Sequence, residues 1–287
     1  MARYAYVDGR YTPHNAAVVH VEDRGFQFAD GVYEVVSIIG GRMIDLEGHV
    51  DRLQRSLDAL DMAAPLSRPV LTMIMRKLIA RNRVDEGIIY LQVTRGVAPR
   101  DHKYPTGIKP TLVMTTKRID FRNQKRMSDG VKVITIPDIR WARCDIKAIS
   151  LLANCMGKTQ ASNVGAYEAW QVDADGRITE GTSSNVWILT RDNKLKTRML
   201  GPDILRGVTR DTLIGIAAEE GIEVVEDAFT VEEAKECREA FVTSATSFLT
   251  PVVQIDDTVL GNGVPGSLSC RLQRWYLDYC SGLRGSA

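Results

Sequence analysis

Lys147 stands between Ile146 and Ala148 at the head of an apolar run in "RCDIKAISLLANC" (143–155). A buried ammonium without a partner is costly. The position therefore calls either for a lysine that carries its charge to solvent from the first turn of a helix, or for a nitrogen with chemical work to do. Three other stretches hold groups of the right type. "ITEGTSSN" (178–185) puts Glu180 at a strand end, ahead of a turn of small hydroxyl residues. "ILRGVTRD" (204–211) sets Gly207, Val208 and Thr209 where a helix starts. "FVTSATSFLTP" (241–251) ends a strand in Thr243, Ser244, Thr246 and Ser247 around Ala245. Helix N-termini and hydroxyl turns offer N–H and O–H donors, which suit a phosphate. Each stretch also has a plainer reading: Thr209 as an N-cap only, Glu180 as a turn acid.

Other chemistries find no support. There is no G-x-G-x-x-G after a strand, no G-x-x-x-x-G-K-[ST] and no G-x-S-x-G elbow. The four histidines, His14, His20, His49 and His102, lack metal-ligand spacing. The five cysteines, Cys144, Cys155, Cys237, Cys270 and Cys280, are odd in number and form no C-x-x-C. Neither a disulfide framework nor a zinc site is indicated. The N-terminus shows no signal-peptide pattern and no window reaches membrane-span length, so a cytoplasmic protein with reduced thiols is expected. The net charge is +1, from 37 basic and 36 acidic residues, which gives no reason to expect nucleic acid. The basic cluster "KRIDFRNQKR" (117–126) has only Phe121 to stack and reads as a solvated linker.

The elements that must position these groups follow from periodicity. "YAYVDGRYTP" reads as a hairpin around Asp8-Gly9, and "GVYEVVSIIGGRMIDL" as a second one around Gly40-Gly41. Val50, Leu53, Leu57 and Leu60 fall at helical spacing. So do Leu71, Ile74, Met75, Leu78 and Ile79. "GIIYLQVTRG" and "PTLVMTTKR" read as strands. "VKVITIPDIRW" opens a new strand pattern, and a helix from about Ser150 to Asn163 follows. Two strands flank the Asp173–Gly176 turn. The stretch from Thr209 to Ser244 reads helix, strand, helix, strand, and "SLSCRLQRWYLDYC" is a closing amphipathic helix. The expected organisation is α/β (α+β): a small N-terminal α/β domain over 1–118, a linker over 119–129 and a larger domain over 130–287.

Taken together, "EDRGFQFADGVYEVV", "HVDRL", "VTRGVAPRDH", "RCDIKAISLL", "YEA", "ITEGTSSNVW", "RGVTRD" and "FVTSATSFLTP" resemble the fold-type IV pyridoxal-phosphate enzymes, in the family's order from about residue 5 to 255. The resemblance implies a barrel-like β core in the C-terminal domain and pyridoxal 5′-phosphate as cofactor. It implies that Lys147 forms the internal aldimine. That role needs a neutral amine, and a desolvated pocket disfavours the charged form. Glu180 would pair with the pyridine nitrogen, which makes the ring a better electron sink. Arg52 of "HVDRL" would grip the phosphate with its planar fork. Val208 and Thr209 would donate backbone N–H groups to the phosphate, and Leu205 would pack on the ring. The fourth phosphate element departs from the family's pattern, with Ala245 where threonine is frequent. Ser244 or Thr246 could supply the hydroxyl.

Within the family the chain is most similar to the D-amino acid aminotransferases. In that branch an R-x-H traps the substrate α-carboxylate, reaching into the neighbouring subunit's site. Here the trap would be Arg100 and His102, with Tyr33 as third member. Arginine and a phenol both donate to oxygen. The resemblance thus implies ping-pong exchange of an amino group between a D-amino acid such as D-alanine and a 2-oxo acid, in a homodimer with a shared site. Alternatives of the same fold are branched-chain L-aminotransferase, (R)-selective amine transaminase and aminodeoxychorismate lyase. A non-catalytic homologue is the alternative from another class.

Overall fold

A computed structural model describes residues 3–121 and 124–284. Described residues up to Phe121, with Ile146–Ser150, form one compact unit; Gln124–Asp145 and the described residues from Leu151 to Arg284 form the other.

The first unit opens with the hairpin β1 (Tyr4–Val7) and β2 (Arg10–Pro13). Asp8 and Gly9 turn it with positive φ, as a two-residue hairpin of this kind requires. A short helix α1 (Arg24–Phe28) leads into β3 (Gly31–Ile39), which turns at Gly40-Gly41 into β4 (Arg42–Met43). Two helices follow, α2 (Leu46–Ala59) and α3 (Arg68–Asn82), and then strands β5 (Gly87–Thr94) and β6 (Thr111–Arg118). The six strands run in the order β2-β1-β6-β5-β3-β4. The stripe Leu71, Ile74, Met75, Leu78 and Ile79 is the buried face of α3. It joins Leu53 and Leu57 of α2 against Val36, Ile38, Ile89, Leu91 and Met114 of the sheet.

Buried charge also ties β3 to α2. Glu34, 1% exposed, accepts from Arg52 Nε at 2.7 Å and Nη2 at 2.9 Å, and from His49 Nδ1 at 2.7 Å. Two carboxylate oxygens meet a planar fork, the geometry in which such pairs are strong. Burial works against the Glu34 charge, but Arg52 and His49 outweigh it and hold the carboxyl well below the usual range.

The second unit begins with the short helix α4 (Lys125–Asp129), inside the stretch expected to be a solvated linker. Met127 of α4 is buried, as is Phe121 before it; Arg122 and Asn123 of that stretch lie outside the described residues. The order continues with β7 (Val131–Pro137), α5 (Leu152–Asn163), β8 (Glu168–Val172), β9 (Ile178–Gly181), β10 (Asn185–Leu189) and β11 (Leu195–Thr197). It closes with α6 (Val208–Glu219), β12 (Val224–Glu226), α7 (Val231–Lys235), β13 (Glu239–Ser244), β14 (Phe248–Ile255), β15 (Thr258–Val259) and α8 (Ser267–Ser281). The strand order is β12-β11-β10-β13-β14-β7-β8-β9, with β15 on β14. β9, at one end of this order, also packs against β10, so the sheet curls back on itself. This is the barrel-like core expected from the sequence. Trp170, Ile178, Val186, Ile188, Phe229, Val242 and Val252 fill it. Helix α5 covers β7 and β8, while α6 and α8 cover β13.

Several elements were not read from the sequence: α1, α4, β10, β11, β14 and β15. All but β14 are five residues or shorter. Strand β14 contains Pro251, which weakens a strand reading. The structure tolerates it because pairing of β14 with β7 begins one residue later, at Val252.

Leu78→Ala removes a side chain with no exposure and should cost about 2–5 kcal/mol in denaturant unfolding. Met73→Ala, on the exposed face of the same helix, should stay within about 0.5 kcal/mol. Glu34→Gln takes the carboxylate from beside the buried Arg52 charge and should cost about 3–5 kcal/mol near pH 7. The native pKa of Glu34 is depressed, so its contribution is complete above the unfolded value of about 4.3 and fades as pH falls below it. The gap between wild type and Glu34→Gln should therefore narrow by about 1.4 kcal/mol per pH unit below pH 4. Urea titrations at pH 7, 4 and 3 measure it, and a constant gap would remove the charge from the explanation.

Candidate functional site

Lys147 is not on a helix. It lies in an irregular segment, bent at Ile146 and Ile149, that docks along the start of β3; Ala148 N donates to Ile146 O at 2.7 Å, which puts Lys147 at the centre of a tight turn. Its carbonyl accepts from Tyr33 N at 3.0 Å, and Ile149 N donates to Gly31 O at 3.0 Å. Val32 and Ala148 form an antiparallel bridge. The remaining edge of β3 is short of a partner, since β4 reaches only Ile38 and Ile39. Residues 146–150 supply one where the chain would otherwise leave backbone groups unpaired. Ile146 and Ala148 go into the core of the first unit, and Lys147 points the other way. Its Nζ lies 4.2 Å from the centre of the Tyr33 ring, and its backbone N donates to Ser56 Oγ at 3.2 Å. The reading of Lys147 as a snorkelling residue on a first helical turn is thus corrected. The helix starts at Leu152, and the lysine is held by a strand edge and an aromatic face.

Tyr33 leans on Tyr90, with ring centres 5.7 Å apart. Tyr90 donates its hydroxyl to Gln92 Oε1 at 2.7 Å. Burial, helped by Tyr33, pushes the Tyr90 phenol up to about 12, so it acts as a donor and not as an acid.

Glu180 ends β9 and is 6% exposed. It forms an ion pair with Arg140. Its Oε2 accepts from Leu205 N at 3.1 Å and from Asn185 Nδ2 at 3.3 Å. Arg140 is braced in turn by Asp138 at 2.7 Å, Thr179 Oγ1 at 3.2 Å and Asp203 O at 3.0 Å. Burial disfavours the Arg140 charge, but Asp138 and Glu180 more than restore it and its pKa lies above the ordinary arginine value. Glu180 is therefore a buried carboxylate held opposite a permanent cation, not a turn acid. Behind it, Glu168 of β8 collects all three hydroxyls of the following turn: Ser183 Oγ at 3.0 Å, Ser184 Oγ at 3.1 Å, and Thr182 Oγ1.

The expected phosphate elements of the second unit also come together. Helix α6 starts at Val208 with Gly207 as N-cap, and no side chain caps it. Thr209 is one residue inside, so the N-cap reading for it is corrected. Its Oγ1 lies 3.5 Å from the Tyr276 hydroxyl. Uncapped N–H groups and the positive end of a helix suit an anion. Asn185 connects this end to Glu180, because its Nδ2 also donates to Leu205 O at 2.9 Å. Helix α6 packs on β13, which ends at Ser244. The turn beyond it holds Ser244 Oγ 2.6 Å from Ser247 Oγ and 3.3 Å from Thr246 Oγ1. Arg126 of α4 donates to Thr246 O at 3.0 Å and so fixes the turn. Phe248, which closes it, takes φ 52°. That conformation is uncommon for a bulky residue and costs strain. A helix start without a side-chain cap and a turn carrying three hydroxyls each offer donors that fit a phosphate dianion. Lys147 fits an aldehyde, and Glu180 a protonated ring nitrogen.

Arg100 and His102 project from an exposed loop of the first unit and share one ring. The Arg100 guanidinium lies 4.5 Å from the Phe28 centroid, and the His102 ring centre 5.5 Å from it. The ring contacts of Tyr33 are with Lys147 and Tyr90 instead. Sequence reasoning missed Glu34, His49, Arg140, Asn185 and Glu168 as partners. Glu34 carries the clearest signal, a carboxylate at an inward position of an apolar strand; Arg140 shows none before folding. No group of three His, Cys, Asp or Glu side chains among the described residues could hold a metal ion. None of the described helices is long and apolar enough to cross a membrane.

The profile of the family described as Amino-transferase class IV matches residues 31–255. The D-alanine aminotransferase of Bacillus licheniformis is 39% identical over 266 residues, 93% of each chain. That of Listeria innocua serovar 6a is 38% identical over 274 residues, 95% of this chain and 94% of the relative. Among solved structures, the branched-chain amino acid aminotransferase of Escherichia coli superimposes with a TM-score of 0.91 over 99% of this chain and 97% of its own, at 22% identity. A hypothetical aminotransferase from Mycobacterium tuberculosis, in a PLP-bound form, gives 0.83 over 98% and 100%, also at 22%. These structures share the fold, and the profile match with the near full-length identities settles the family: the chain belongs to the class IV aminotransferases.

Proposed function

We propose that this enzyme transfers the amino group of a D-amino acid, D-alanine foremost, to a 2-oxo acid. Pyridoxal 5′-phosphate is its cofactor. When bound, this group supplies an aldehyde carbon that takes up the substrate amine and a ring that accepts the charge released at Cα. The protein's residues do the rest. Lys147 is the attachment point and the base: its Nζ removes the proton from substrate Cα and, in the opposite half-reaction, returns one to Cα of the product. Docking of its backbone on β3 limits the arc that Nζ can sweep, and alignment of this kind accounts for much of a proton-transfer barrier. Glu180 faces the pyridine nitrogen, with Arg140 paired to its carboxylate and orienting it. Arg52, Val208, Thr209 and the Ser244–Thr246 turn, Ala245 N–H included, hold the phosphate. Leu205 packs on the ring.

The observation that supports the choice of substrate most is the pair Arg100 and His102 on the Phe28 ring. Two donor side chains on a rigid apolar bench make a carboxylate receptor, with Tyr33 completing it. Where the α-carboxylate is held decides which enantiomer turns its Cα–H toward Lys147. The similarity to D-alanine aminotransferases over nearly the whole chain points the same way. The loop is proposed to serve the partner's site in a homodimer, and the protein to work in the cytoplasm. Ping-pong kinetics follow, because the first 2-oxo acid leaves before the second enters.

A panel of D-alanine, L-leucine, (R)-1-phenylethylamine and aminodeoxychorismate should show turnover with D-alanine far above the others; preference for L-leucine would overturn the reading. Borohydride reduction and peptide mapping should place a pyridoxyl adduct on Lys147, and Lys147→Ala should lose both adduct and visible absorbance. Arg100→Ala should raise KM for D-alanine by roughly 10- to 100-fold, the loss of one charge-assisted contact, with cofactor content unchanged.

A further inference from the structure

Beneath the loop that carries Arg100 and His102 lies a charged cluster with no part in the chemistry above. Arg24, 2% exposed, donates Nε to Asp30 Oδ2 at 2.7 Å and Nη1 to the main-chain carbonyl of Asp101 at 2.5 Å. Asp101 is the residue between the two proposed carboxylate ligands. The same Asp30 oxygen accepts from Arg95 Nε at 2.8 Å. Arg95, 7% exposed, is anchored by the carbonyls of Leu60 at 2.8 Å and Asp61 at 3.2 Å. Its guanidinium lies 3.6 Å from the centre of the Tyr104 ring, on the far side of the loop. The Arg24 guanidinium lies 4.7 Å from the Phe28 ring that carries Arg100 and His102.

Buried arginine is expensive, and two of them sharing one carboxylate leave excess positive charge. If core stability were the only requirement, apolar side chains would meet it at lower cost. The arrangement gives something apolar packing cannot: a directional hold on the backbone at one residue. The loop is otherwise exposed and makes few apolar contacts, which is the setting in which segments open locally. One strong donor at Asp101 O, with stacking at Phe28 and Tyr104 on either side, removes that freedom.

We infer that the Arg24–Asp30–Arg95 cluster is a positioning device that sets the pose of Arg100 and His102 and thereby determines affinity for the substrate carboxylate. The inference rests on the carboxylate role proposed above. Loss of the device releases the loop, so part of the binding energy goes into ordering it. That loss falls on uniform binding, which appears in KM and not in kcat.

The test uses the holoenzyme with D-alanine and 2-oxoglutarate. Arg24→Met keeps the stem and deletes the fork. It should raise KM for D-alanine roughly 10- to 100-fold with kcat within about twofold. Backbone amides of 98–104 should exchange with deuterium faster. Arg24→Lys, a cation without the fork, should fall between it and wild type. Should Arg24→Met fail to yield folded holoenzyme, the surface change Tyr104→Ala decides. It should raise KM about 3- to 10-fold, as expected for one lost cation–π contact, and speed the same amides. Unchanged KM in whichever of these variants is folded, or unchanged exchange, overturns the inference. Arg100→Ala, run alongside, separates the two ideas. If it raises KM while the Arg24 and Tyr104 variants do not, only the positioning role falls. If it leaves KM unchanged, the carboxylate role fails and the inference falls with it.

Discussion

Backbone pairing along one edge of β3 is the constraint that places Lys147, the residue on which the proposed chemistry rests. Gly31 to Tyr33 bond β5 on one side and residues 147–149 on the other. The approach is close enough that a Cβ at Gly31 would come within 2.6 Å of Val93 O, so glycine is required there. With the backbone docked and turned tightly at Lys147, the neighbours of the lysine go one way and its own side chain another. Ile146 and Ala148 face the core, and the lysine between them faces the Tyr33 ring. A reactive nitrogen on a loop would sample many positions; one on a paired segment does not.

The second unit reaches comparable order by a different route. There the groups proposed to hold the cofactor are carboxylate, helix start and hydroxyl turn, and side-chain hydrogen bonds lock them. Asn185 bridges Glu180 to Leu205, just before α6. Glu168 gathers the 182–184 hydroxyls. Arg140 supplies the cation that a buried carboxylate needs. A satisfied network of this sort holds a geometry because each member would leave an unpaired buried group if it moved. The 99–104 stretch sits at the other extreme, exposed and held mainly by Arg24 and aromatic stacking.

Much of the architecture was legible before folding. The apolar stripe of α3 and the turns at Asp8-Gly9 and Gly40-Gly41 follow from periodicity and from residues that tolerate positive φ. The resemblance carried further, to the barrel-like core and the cofactor. Elements of two to five residues escaped because so short a stretch has no period to detect. β14 escaped because its proline argues against a strand unless one knows that pairing on that side starts at the next residue.

What the amino-acid sequence by itself determined was the chemistry available: a lysine among apolar neighbours, a carboxylate before hydroxyls, a glycine at a helix start, and R-x-H on a polar loop. Only the tertiary structure decided which of these groups are held and by what. Lys147 faces an aromatic ring because a strand edge needed a partner. Glu180 is held in the interior by an ion pair with Arg140, forty residues away in the chain. Arg24 reaches the Asp101 carbonyl across a gap of seventy-seven residues. Such pairings arise from backbone hydrogen bonds and desolvated charge seeking partners at long range, and local pattern does not encode them.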